Sequence, residues 1–212
     1  MRKASEILYR FRGYILALFA VALLACPAAP FPHASDALAL KGSGTTCIPY
    51  IGTLLFYALG IALRIRARQF IGQHTRGSTH EAAELVTGGP YTHMRHPLYT
   101  SNTYIALGAI FFHLGVSGFF YVFIIAIALF EYALARAEDR FLEEKFGDTW
   151  RTWALRTPMF PSRTAVFAPN SGSTPRRTFL QAFKADASTW FWFVFFNLII
   201  VLLKVFTEYH NV

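Results

Sequence analysis

The chain has 212 residues, of which 54% are hydrophobic and 17% aromatic, while only 15% carry charge. Soluble domains carry about 25% charged residues, so this composition excludes an ordinary water-soluble domain. The formal net charge is +8, but the basic residues cluster between apolar spans, which marks membrane topology and argues against nucleic acid as a partner.

Taken in order, the chain opens on Arg2, Lys3, Arg10 and Arg12, followed by a first apolar span from Tyr14 to Phe31. A basic start, an apolar core and small residues also describe a signal peptide, and Leu23-Leu24-Ala25-Cys26 approximates a lipoprotein cleavage box. Several spans follow, so an uncleaved first helix is expected. Next comes a Pro- and Ala-rich loop flanked by Cys26 and Cys47. These two cysteines make no metal motif; they can pair on an oxidising face or stay as two buried thiols. A second span runs from Cys47 to Leu63. The segment from Arg64 to Met94 is polar, too rich in Gly and Thr for one clean helix, and turns at Gly88-Gly89-Pro90. Ser101 to Leu134, with Glu131 its single acid, is too long for one crossing of a hydrocarbon layer about 30 Å thick. A break at Gly115-Val116-Ser117-Gly118 makes it a hairpin of two helices.

The fourth helix continues past the membrane surface, with Leu134, Phe141, Leu142 and Phe146 at helical spacing, and Gly147 ends it. Pro158 to Pro175 reads as loop. Arg176 to Ala187 sets Phe179, Leu180 and Phe183 opposite Arg176, Arg177 and Lys184, as in an interfacial amphipathic helix. Trp190 to Phe206 is the last span. The expected fold is an all-α integral membrane protein with about five transmembrane helices. It divides into two N-terminal transmembrane helices (1–63), a core with the hairpin (64–161), and a loop, amphipathic helix and C-terminal transmembrane helix (162–212). Of the 20 lysines and arginines, all but Lys41 and Lys204 fall before the first span, between the second and third, or between the fourth and fifth. The positive-inside rule assigns those segments, and the N-terminus, to the cytoplasm, most simply that of a bacterial inner membrane. Contacts with anionic lipid are a second use of the same charges.

Chemistry concentrates in Tyr91–Thr100, YTHMRHPLYT. His96 precedes Pro97 and is driven out of the helical region, while Pro97 suits the first turn of a helix. Arg95 and His96 therefore stand at a helix N-terminus, where backbone N–H groups favour an anion. Arg95 can grip a carboxylate with both arms of its fork. Glu138 or Asp139, at the base of the fourth helix, can accept hydrogen bonds from an amine or from ribose hydroxyls. Tyr91 and Tyr99 offer ring faces to an adenine or a cationic sulfur. The same residue types also serve as interface anchors, with arginines snorkelling, tyrosines in belts and Glu138 paired to Arg136 or Arg140. His74, His80, His93 and His96 raise the thought of a metal centre, but a di-iron site needs many more ligands, and no metal is expected.

The order of these residues resembles the isoprenylcysteine carboxyl methyltransferases and their relatives, the membrane phospholipid methyltransferases. The matching pieces are Gly89-Pro90-Tyr91, Arg95-His96-Pro97-Leu98-Tyr99 opening the hairpin, Glu138-Asp139, Leu142, Phe146-Gly147 with Trp150 and Trp153, and Phe160-Pro161, across about residues 80–161. The resemblance implies S-adenosylmethionine as methyl donor, bound at the cytoplasmic mouth, and a lipophilic or lipid acceptor arriving through the bilayer. It places adenine and sugar contacts on Leu85, Val86 and Tyr91. The amino-acid part of the donor falls to His96, Pro97, Leu98, Tyr99 and Glu138, and Arg95 and Arg136 become the candidates for a catalytic role. Ser101 stands where the family has glycine, and Trp150 and Trp153 where it has tyrosines. Leu134 stands where the prenylcysteine enzymes place an arginine that grips the substrate carboxylate, so a different lipid or amphiphile is the expected acceptor. The rival readings are a membrane reductase using a nicotinamide cofactor and a non-catalytic membrane subunit.

Overall fold

A computed structural model describes residues 2–29, 48–71, 84–161 and 174–210. Its helices are α1 (Arg2–Leu24), α2 (Ile48–Phe70), α3 (Pro97–Leu114), α4 (Gly118–Phe146), α5 (Asp148–Arg156), α6 (Phe179–Ala185) and α7 (Ala187–His210), with a 3-10 turn at Gly89–Thr92 before α3. No strand occurs among the described residues. Cys47, and with it any pairing to Cys26, lies outside the described residues, as do His33, His74, His80 and most of the loop expected between Pro158 and Pro175.

Among the described residues, four helices are long and apolar enough to cross a membrane: α1 from Ile7, α2, α4 and α7. The expected third crossing falls on α3, which carries Tyr99, Thr100, Ser101, Asn102, Thr103, Tyr104 and His113 in its 18 residues. Its position explains that polarity. No residue of α3 is exposed; α2 lies along one side and α4 along another, so protein rather than lipid surrounds it. The outward faces of the other spans are apolar, with Tyr14, Leu18, Leu54, Val122, Leu129, Phe191 and Trp192 exposed, as a bilayer requires.

Small residues bring α2 and α3 together. A Cβ on Gly60 would lie 2.8 Å from Ile105 Cγ1 and 3.1 Å from the Ser101 carbonyl oxygen. The Ser101 hydroxyl, fully buried, donates to the Gly60 carbonyl at 2.9 Å, and Thr53 Oγ1 lies 3.2 Å from the Gly108 carbonyl oxygen. This is the close backbone approach that small residues permit in membranes. It also explains why serine is accepted at a position where the family resemblance expects glycine.

Two helices differ from the sequence expectation. The first ends at Leu24 rather than Phe31, just before Pro27, which cannot continue a helix. The second runs on through Phe70, so the expected boundary at residue 63 lies inside it. Ile65, Ala67 and Phe70 are buried along this extension, and Arg64, Arg66 and Arg68 ride on it. At the far end of the bundle the hairpin turns at Gly115, whose φ of 59° favours glycine. There the Ala29 N–H donates to the His113 carbonyl at 2.8 Å, His113 Nε2 bonds the Cys26 carbonyl at 3.0 Å, and Lys204 Nζ donates to the Ala29 carbonyl.

Candidate active site

The site lies at the opposite end, where α3 begins. Gly89, at φ 59°, has the Phe70 ring against its α-carbon, so that a Cβ would approach within 2.3 Å. Only glycine fits that turn, and the turn buries Tyr91 beside Ala67, Phe70 and Ile71, with Val86, Leu98 and Trp153 packed around. Burial raises the Tyr91 phenol well above its ordinary value, and the charge of Glu138 adds to the effect.

Arg95 and His96 are clasped from both sides. Their backbone N–H groups donate to the Pro158 and Met159 carbonyls at 2.8 and 3.2 Å, which draws the chain after α5 back across the start of α3. The Arg95 side chain bonds Asp139 in bidentate fashion, Nη2 to Oδ2 at 2.9 Å and Nε to Oδ1 at 3.3 Å. Its Nη1 donates to the Ala154 and Thr157 carbonyls at 3.1 and 2.8 Å. The carboxylate that Arg95 grips is thus the protein's own, and the residue ties α3, α4 and α5 together. His96 lies between two acids, with Nε2 2.9 Å from Asp139 Oδ1 and Nδ1 3.6 Å from Glu138 Oε2. Burial disfavours its imidazolium, but Asp139 and Glu138 outweigh that and hold its pKa above the usual histidine value.

These elements enclose a cavity of about 390 Å³, a size usual for small-molecule sites. The sequence candidates Leu85, Val86, Tyr91, His96, Pro97, Leu98, Tyr99 and Glu138 all line it, and so does Arg95. Arg136 does not; it lies exposed on another face of α4. Leu134 is buried in the apolar cluster of α1, α3 and α4. Besides Arg95, the guanidinium groups lining the cavity are those of Arg12 of α1 and Arg64 and Arg68 of α2. Asn102, Asp186, Ser188 and Thr189 complete the polar wall. Sequence alone does not reveal this wall, because arginines that follow an apolar span read equally well as topology charges. Two signals were there to find: Arg64 and Arg68 stand one helical turn apart, and Asp186 is the lone acid between Asp148 and Glu208.

Fold and site together define an all-helical integral membrane protein with a polar pocket at one end of a helical hairpin. The chain belongs to the phospholipid methyltransferase family, which residues 48–149 match. It is 35% identical over 153 residues to the cobalt-zinc-cadmium resistance protein CzcN of Cupriavidus metallidurans, a match covering 71% of this chain and 67% of that protein. It is 32% identical over 135 residues to the nickel-cobalt-cadmium resistance protein NccN of Alcaligenes xylosoxydans xylosoxydans, covering 63% of this chain and 60% of the other. No solved structure matches.

Proposed function

We propose that this protein is a membrane methyltransferase that takes a methyl group from S-adenosylmethionine and places it on a lipophilic acceptor. The observation that carries the reading is that eight residues picked from an ordered sequence pattern line one cavity. Its chemistry suits the donor: Leu85, Val86 and Tyr91 for the adenine and sugar, Glu138 for the ammonium, and the faces of Tyr91 and Tyr99 for a cationic sulfur. When bound, the donor supplies an electrophilic methyl carbon on a positively charged sulfur. The chain's own task is to hold donor and acceptor in line and to keep water out. Tyr99 and Pro97 start α3 at the cavity while the clasp on Arg95 and His96 fixes that start. The Glu138 carboxylate, within reach of the Tyr99 hydroxyl, is placed to accept a proton where the acceptor must lose one.

In this reading residues 64–161 hold the catalytic core, and Arg95 positions it. The basic residues gathered at the cavity end support a cytoplasmic mouth and N-terminus, in the inner membrane of a bacterium. The relatives' names place them in metal resistance; for this chain such a role would run through modified membrane lipid.

Titration calorimetry in detergent tests the reading. S-adenosylmethionine should bind saturably without competition from reduced nicotinamide cofactor. His96→Ala and Glu138→Ala should each weaken it by about 1–3 kcal/mol, the cost of leaving a buried polar group without its partner. Unchanged affinity in both folded variants would remove the site, and nicotinamide binding in place of the donor would favour a reductase.

A further inference from the structure

Arg64 and Arg68 line the cavity, yet neither belongs to the donor contacts assigned to the proposed methyltransferase. Resting on that methyltransferase reading, we propose that these two arginines form a preorganised subsite for an anionic group, a carboxylate or phosphate, of a ligand in the cavity. They sit one turn apart on α2, on the same helix face, and both are buried. Their Nε atoms donate to one and the same oxygen, Asp186 Oδ2, at 2.8 and 2.9 Å. Arg64 is held further by Asn102 Oδ1 at 2.6 Å and Thr189 Oγ1 at 3.2 Å. Asn102 of α3, Thr189 of α7 and Asp186 between α6 and α7 thus hold the Arg64 guanidinium before any ligand arrives, and Asp186 holds that of Arg68 beside it. A guanidinium so held loses little freedom on binding and offers a fork that matches carboxylate or phosphate.

A purely stabilising role is a weak account of the cluster. Buried ion pairs contribute little compared with apolar residues of the same volume, and α2 could have ended in leucines here. Asp186 stands outside the matched segment, residues 48–149, whereas both arginines lie within it. The C-terminal helices therefore supply the positioning residue that aims two arginines of the core. Two sources fit the subsite: the carboxylate of the methyl donor and the anionic headgroup of a lipid acceptor.

The test uses the full-length protein in detergent with Arg68→Gln and, because that change removes a partner of buried Asp186, Arg68→Lys, which keeps the charge and loses the fork. One arm titrates S-adenosylmethionine against its decarboxylated analogue. The other titrates short-chain phosphatidylglycerol against phosphatidylcholine. If the donor's carboxylate occupies the subsite, the unmodified protein prefers the carboxylated donor by about ten- to a hundred-fold, the worth of one charge-assisted hydrogen bond, and Arg68→Gln erases that preference. If a headgroup occupies it, donor affinity holds and the preference for the anionic lipid is what disappears. Should Arg68→Gln fail to fold, Arg68→Lys is expected to reduce the same preference. Folded variants that keep every preference of the unmodified protein, or an unmodified protein with no preference in either arm, would overturn the proposal. Preference for anionic lipid without any donor binding would instead defeat the methyltransferase reading and leave the subsite standing.

Discussion

Asp139→Asn is the sharpest perturbation this site allows. The side chain is 4% exposed and receives two bonds from Arg95, whose own side chain is 13% exposed, and a third from His96. The amide keeps the shape but removes the charge, which leaves the Arg95 guanidinium buried against a neutral partner. Breaking a buried pair by removing one member costs about 3–5 kcal/mol; because the retained amide oxygen still accepts one bond, the lower end is expected. For a chain of this size each kcal/mol moves the melting temperature by about 2–4 °C, so the expected drop is roughly 6–12 °C. Thermal unfolding in detergent, followed by tryptophan fluorescence, measures it. The double variant with Arg95→Met should melt well above the sum of the two single losses, because it leaves no uncompensated guanidinium and the pair is directly coupled. If Arg95 were instead a ligand clamp, its loss would weaken binding and spare the fold. A melting temperature for Asp139→Asn within about 2 °C of the unmodified protein would refute the tie between α3, α4 and α5.

Other consequences are open to measurement. Because His96 has its folded pKa raised, its contribution to stability is complete below the ordinary value of 6.5 and is lost as pH rises through the folded value. Denaturation at pH 6 and pH 9 should therefore show stability falling upward, and His96→Gln should flatten the slope; an equal slope would clear His96 of the effect. Gly60→Ala forces a methyl to within 2.8 Å of Ile105 and 3.1 Å of the α3 backbone, an overpacking expected to cost about 1–3 kcal/mol. Helical circular dichroism on heating would register it, and a neutral result would mean that α2 and α3 pack less closely than described. In a background lacking both native cysteines, Val116→Cys at the hairpin turn should react with an impermeant thiol reagent in intact cells while Thr174→Cys stays protected. The reverse pattern would invert the topology.

The hairpin was legible because its cause is local. Pro97 starts α3, Gly115 and Gly147 take positive φ at its end and at the end of α4, and apolar residues fill what lies between. The grouping of Arg95 with His96 to Tyr99 at one cavity was legible for a related reason: they occupy a single helical start, so their proximity to one another is set by the chain itself. What was not legible depends on which way neighbours turn. Glu138 and Asp139 are adjacent in sequence, yet about 100° apart around a helix. Asp139 goes inward to Arg95 and His96, and Glu138 lines the cavity. Nothing short of the packing of α3 on α4 decides that. Arg136 sits two residues earlier on a third face and misses the cavity. The partners of Arg64 and Arg68 were still more remote, since Asp186 lies 122 and 118 residues away, and no periodicity spans such a gap. The late end of α2 was hidden by its own arginines, which read as loop although arginine is a good helix former.

The position of Leu134 bears on what the pocket accepts. An arginine there would have put a cation on α4, next to the carboxylate of Glu138 one turn on. In this chain Leu134 packs into the core, and α4 offers the cavity a carboxylate and apolar side chains, Glu138, Phe141 and Leu142. Arg95 lines it too but is committed to Asp139, and the other guanidinium groups come from α1 and α2. In the proposed methyltransferase, a carboxylate on α4 facing guanidinium groups on α1 and α2 would suit a zwitterion better than a simple ion, because each end of the ligand then meets its complement and neither is buried alone. A free carboxylate carried in on a prenylcysteine finds no cation of α4 in the cavity. Its cationic partners lie across the cavity, on Arg12 of α1 and on Arg64 and Arg68 of α2. Specificity is a difference between affinities, and in the proposed enzyme this arrangement is expected to set that difference against an acceptor whose acid must approach along α4. It favours one whose charged group reaches across to α2.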